Sequence, residues 1–110
     1  APDKLQIDAA LRIGAQVIEL HTGAYCDLHA QNLTQERDEE LQRLMTMAQY
    51  ANALGLEVHA GHGLTYDTVK PVASIANIHE LNIGHFLIGE SIFSGLEVTI
   101  KKMRRLINEA

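Results

Sequence analysis

Gly61-His62-Gly63 joins residue types that suit a reaction site. The triplet closes the short apolar run "LEVHA". An imidazole gains or loses a proton near neutral pH, so it serves as a general acid or base. The flanking glycines leave room for a ligand and tolerate left-handed backbone. Two other histidines stand in comparable places: His21 after "QVIEL" and before Gly23, and His85 after "HELNI" and Gly84. Glu19 shares an alternating strand face with Val17 and His21. A carboxylate aimed into a protein is costly unless it is paired or meets a cation. At a helix start, the backbone N–H groups after Gly84 and His85 are unpaired and carry partial positive charge. Gly63, Gly84 and His85 therefore suit a phosphorylated ligand.

Each of these residues also has a plain structural reading. The Gly-His-Gly stretch serves equally as a turn, Glu19 as half of an ion pair or part of a solvated face, and Gly84 as a packing glycine. His21, His62 and His85 could converge on zinc, but the chain has no H-x-H pair and no Asp at a strand end. Glu80 and Asn82 line an interior or face solvent. His59 shares a face with Glu57, opposite Val58 and Ala60, and receives no role. His29 and His79 are expected on the surface. Cys26, in a loop beside Tyr25 with no evident base, reads as incidental rather than nucleophilic.

The elements that would position these groups alternate. Residues 3–13 carry Leu5, Ala9 and Ile13 at helical spacing, with Gly14 as the stop. "QVIEL" (16–20) is a strand, and "HTGAYCDLHAQ" (21–31) a loop. Asn32 and Gln35 resemble a capping box for a helix whose face holds Leu41, Leu44, Met45 and Ala48. Gly55 ends that helix before the strand "LEVHA". A helix follows over 68–76, with Pro71 in its first turns. "HELNI" (79–83) is the third strand, and "GHFLIGESIF" holds a short helix. Ser94 and Glu97 read as a second capping box, for a last helix striped by Leu96, Ile100, Met103 and Ile107. Each unit runs helix, stop, strand, then a Gly/His loop. That order predicts parallel strands with the polar chemistry at their C-terminal ends.

Two α/β architectures meet this pattern: a doubly wound open sheet and a (β/α)8 barrel. Ligand-type residues after three successive strands favour the barrel. A barrel needs eight units and about 250 residues, and this chain has 110. The chain opens inside a helix without Met, as either processing or a missing N-terminal part would leave it. With 46% hydrophobic residues, it can build a core. A net charge of −5 disfavours nucleic acid. Lys101, Lys102, Arg104 and Arg105 suit the end of a helix. The single cysteine fits a reducing cytosol. No apolar stretch is long enough to span a membrane.

"IELHTGAY", "LGLEVHAGHGLTY" and "HELNIGHFLIGESIFSGL" resemble, in order and spacing, the C-terminal part of the pyridoxine 5′-phosphate synthase family. The resemblance runs over essentially the whole chain. It implies that residues 1–110 form a single segment of a TIM (β/α)8 barrel, roughly the last three βα units with the helix before them. It implies a cytoplasmic homo-octamer that works without cofactor or metal. Its reaction condenses 3-amino-2-oxopropyl phosphate with 1-deoxy-D-xylulose 5-phosphate, giving pyridoxine 5′-phosphate, phosphate and water. By position, His62 is then the proton donor and Glu19 the transition-state stabiliser. Gly63, Gly84 and His85 bind the amino-ketone phosphate. The family's remaining catalytic groups lie in its N-terminal half, so these 110 residues alone are expected to be inactive. A non-catalytic phosphate-binding βα module and a metal-dependent barrel hydrolase are the alternatives.

Overall fold

A computed structural model describes residues 3–110. Helix α1 (Lys4–Arg12) leads into β1 (Val17–His21), then α2 (Gly23–Ala30) and α3 (Thr34–Ala53). Next come β2 (Glu57–Gly61), α4 (Val69–Ala73), β3 (Ile78–Asn82), α5 (His85–Ser94) and α6 (Leu96–Asn108). The strands form one parallel sheet in the order β1-β2-β3.

Local chemistry sets the boundaries. Asp3 caps α1, its carboxylate accepting from the Leu5 N–H at 2.9 Å. Gly14 and Gly55 end α1 and α3 at φ +84° each. The Ala15 N–H reaches back to Ala10 O, and the Leu56 N–H to Ala51 O. Left-handed backbone at those positions lets the chain pair the last helical carbonyls before it turns into the strand.

The two faces of the sheet differ. Leu20, Val58 and Ala60 point into a core shared with Leu44, Ala48 and Ala51 of α3. Val17, Glu19, His21, Glu57 and Glu80 are exposed on the other face. There the His59 imidazole lies 2.8 Å from Glu57 and 3.8 Å from Glu80. The alternation read from "VIEL" and "HELN" is therefore present, and the polar side is open.

Several expected boundaries move. Within the segment 21–31, His21 ends β1 and Gly23–Ala30 form helix α2, with Tyr25 and Cys26 buried, rather than a loop. Asn32, at φ +58°, is the residue that ends α2, with the Leu33 N–H bonded to Leu28 O. It is not a cap of α3, whose preceding residue is Leu33, with no side-chain cap bond. Ser94 belongs to α5 and bonds to Glu90, while Gly95, at φ +83°, separates α5 from α6. Glu97 pairs with Lys101. Helix α4 is shorter than expected, and β3 begins and ends one residue earlier. On α6, Met103 and Thr99 are buried, whereas Leu96 and Ile100 are exposed.

Candidate active site

The loops after the three strands meet at one end of the sheet. Strand β1 ends in His21-Thr22-Gly23, β2 in Gly61-His62-Gly63, and β3 in Ile83-Gly84-His85. Thr22 is fully buried and joins the first two. Its N–H donates to Gly61 O at 2.8 Å, and its hydroxyl lies 2.8 Å from Gly61 O and 2.7 Å from His62 O. That hydroxyl holds the His62 carbonyl while His62 adopts φ +88°. Such a conformation costs a non-glycine residue on the order of 1–3 kcal/mol and persists only where its surroundings enforce it.

Glu19, His62, Gly63, Gly84 and His85 line one open cleft of about 600 Å³, with Asn82, Ile83 and Ile88. The Asn82 amide donates to Glu19 Oε2 at 3.3 Å. Gly61 provides the space for that carboxylate: a Cβ there would stand 2.8 Å from Glu19 Oε1 and 2.6 Å from the Asn82 carbonyl oxygen. Glu19 is exposed on the open sheet face, not enclosed. His85 opens α5 behind Gly84, whose side has no capping group. The N–H groups of that first turn stay available to an anion. Nothing lies within 4 Å of a Cβ built on Gly84, so packing does not require a glycine there.

A second cavity of about 470 Å³ lies behind the Gly-His-Gly loop, lined by Cys26, Asp27, His29, Asp67 and Thr68 among others. His62 and Gly63 border both spaces. Cys26 sits on α2 with its thiol 3.8 Å from both His62 O and Thr68 Oγ1. Burial pushes that thiol up, outweighing the hydrogen bonds that favour its thiolate. Burial likewise raises Tyr25, whose hydroxyl donates to Thr68 O at 3.0 Å. Cys26 is thus a packed, protonated thiol, as its lack of a base suggested. His29 is half-buried against Arg37 rather than freely exposed, and His79 is exposed.

His21 and His62 meet ring to ring. Their rings stack with centroids 4.2 Å apart and planes 26° apart. Among the described residues, no group of three His, Cys, Asp or Glu side chains is placed to hold a metal ion. Sequence reading assigned nothing to Thr22, Gly23 or Asn82. Gly23 left a signal as the glycine after His21, and Asn82 through its shared strand face with Glu80.

Among the described residues no helix is long and apolar enough to cross a membrane. Residues 1–109 match the family described as "Pyridoxal phosphate biosynthesis protein PdxJ". A pyridoxine 5′-phosphate synthase of Ruegeria pomeroyi is 64% identical over 110 residues, which are 100% of this chain and 44% of its own length. One from Roseobacter denitrificans is 66% identical with the same shares covered. One from Jannaschia sp. is 58% identical, again over 100% of this chain and 44% of its own. The chain thus spans less than half the length of these curated relatives. A match across residues 1–109 places it in a family, and the chain belongs to the pyridoxal phosphate biosynthesis protein PdxJ family.

Proposed function

We propose that this chain is the C-terminal part of a pyridoxine 5′-phosphate synthase. The longer protein condenses 3-amino-2-oxopropyl phosphate with 1-deoxy-D-xylulose 5-phosphate to give pyridoxine 5′-phosphate, phosphate and water. The observation that carries this reading is the shared cleft of Glu19, His62, Gly63, Gly84 and His85 in a chain of this family. The amino-ketone phosphate lies against Gly63, Gly84 and the first turn of α5. His62 donates a proton to oxygen leaving as water in the dehydrations. Glu19 offers its carboxylate to the positive charge that develops on the condensing carbon and nitrogen. Its hydrogen bond from Asn82 holds the carboxylate over the cleft.

The same reading makes the open sheet face the inner wall of a (β/α)8 barrel, with residues 1–110 as one segment of it. The open face supports this, because parallel sheets are covered on both faces and apolar Val17 is left exposed on this one. So do Ile88, Ile92 and Phe93 of α5, which are apolar and exposed. A longer chain covers such surface. The 110 residues alone are then inactive. A phosphate-binding module without turnover needs only Gly84 and His85. Glu19 and His62 beside the same cleft favour the enzyme.

The test is a full-length chimera in which these 110 residues replace the matching part of the Ruegeria pomeroyi relative. With both phosphorylated substrates the chimera is expected to form pyridoxine 5′-phosphate, and the isolated chain none. A folded chimera that binds phosphate without forming product would move the assignment to the binding module.

A further inference from the structure

The His62 ring needs a fixed direction, and its own loop supplies little of it. His62 is exposed on a connection at φ +88°. Among the described residues no hydrogen bond reaches its ring, so both nitrogens remain open to substrate. Its ring partner is His21, stacked at 4.2 Å.

His21 is itself held. The Gly23 N–H points at its Nδ1 at 3.2 Å. An N–H directed at Nδ1 makes that nitrogen the acceptor, which places the ring proton on Nε2 and fixes the plane. Gly23 also makes the approach possible. A Cβ there would stand 2.6 Å from His21 Cε1 and 3.0 Å from His62 Cδ2. Any side chain at Gly23 would push both rings. Its backbone is at ordinary φ, so glycine is needed here for space rather than for conformation. The Thr22 hydroxyl at the His62 carbonyl completes the support from the β1 end. Three consecutive residues, His21, Thr22 and Gly23, therefore converge on His62 from a different strand.

The geometry points to His21 as the positioning residue of the proton donor, its locked imidazole stacked on His62 and Gly23 the spacer that admits both rings. This rests on His62 being that donor. A flat ring against a flat ring resists rotation about the His62 side-chain bonds while occupying neither nitrogen. The effect belongs to turnover rather than binding, because the phosphate contacts lie on Gly63, Gly84 and His85.

The test uses the chimera with His21→Ala, His21→Phe and Gly23→Ala. Misplacing a catalytic group by about 1 Å costs up to about 100-fold. His21→Ala is expected to lower kcat about 10- to 100-fold with KM within about threefold. His21→Phe restores a flat stacking face and is expected to recover most of that loss. Gly23→Ala lowers kcat in the same way. His21→Ala with kcat unchanged, or Phe no better than Ala, would overturn the proposal. NMR of the His62 ring protons gives a readout independent of turnover. Their upfield ring-current shift should vanish in His21→Ala and persist in His21→Phe. If the unsubstituted chimera forms no product, the enzyme reading fails. Loss of the shift in His21→Ala then still supports the positioning contact, and an unchanged shift overturns it.

Discussion

Glu19 and Gly61 share one space: the carboxylate of β1 lies over the last residue of β2, 2.8 Å from where a Cβ would sit. The same Cβ would meet the Asn82 carbonyl oxygen of β3 at 2.6 Å. One hydrogen at Gly61 thus lets three strands close around the acid.

Gly61→Ala is expected to destabilise the chimera by about 1–3 kcal/mol, the usual cost of overpacking. The clash is with backbone, so β3 has to move rather than a flexible side chain. Urea denaturation measures this. An unchanged midpoint would mean that the strand end is looser than the structure places it.

Gly84→Ala should behave in the opposite manner. A Cβ there meets nothing, so stability should stay within about 0.5 kcal/mol. The methyl group enters the phosphate space, and KM for the amino-ketone phosphate is expected to rise about tenfold, worth ~1.4 kcal/mol. A destabilised protein with normal KM would make Gly84 a packing glycine instead.

Cys26 gives a pH dependence. Burial raises its folded value, so above about pH 8.5 the unfolded chain releases a proton that the folded chain keeps. The associated stability is complete below that pH and is lost as pH rises through the folded value. Tyr25, also raised by burial, adds the same sign at higher pH. The urea midpoint of the chimera should fall through this alkaline range, and Cys26→Ser should fall less. Identical slopes would remove the thiol from the account.

Much of this arrangement was legible in the chain. Strand parity in "VIEL" put Glu19 and His21 together, opposite Leu20, because side chains alternate regardless of tertiary context. The stops at Gly14 and Gly55 followed from their freedom at positive φ. Helix α2 was not legible: it opens on Gly23 and shows no apolar stripe. Its glycine is explained by the imidazoles of His21 and His62, and the His62 contact crosses between strands, where no local pattern carries it. Missing α2 then turned Asn32, its terminating residue, into an apparent cap for α3. The repeat also misled by one residue. Spacing from Gly14 and Gly55 equates His21 with His62, but the sheet pairs His21 with Gly61. His21 is therefore still in its strand while His62 lies just beyond one, and this offset lets the rings stack.

The most direct test of the central claim compares the chimera with its His62→Asn variant, measuring pyridoxine 5′-phosphate formation and inorganic phosphate binding on the same preparations. Loss of a general acid costs typically about 10²–10⁴-fold. Turnover is expected to fall by that order with phosphate binding unchanged, because the α5 N-terminus is untouched. Equal turnover in the two proteins would contradict this and remove His62 from the chemistry.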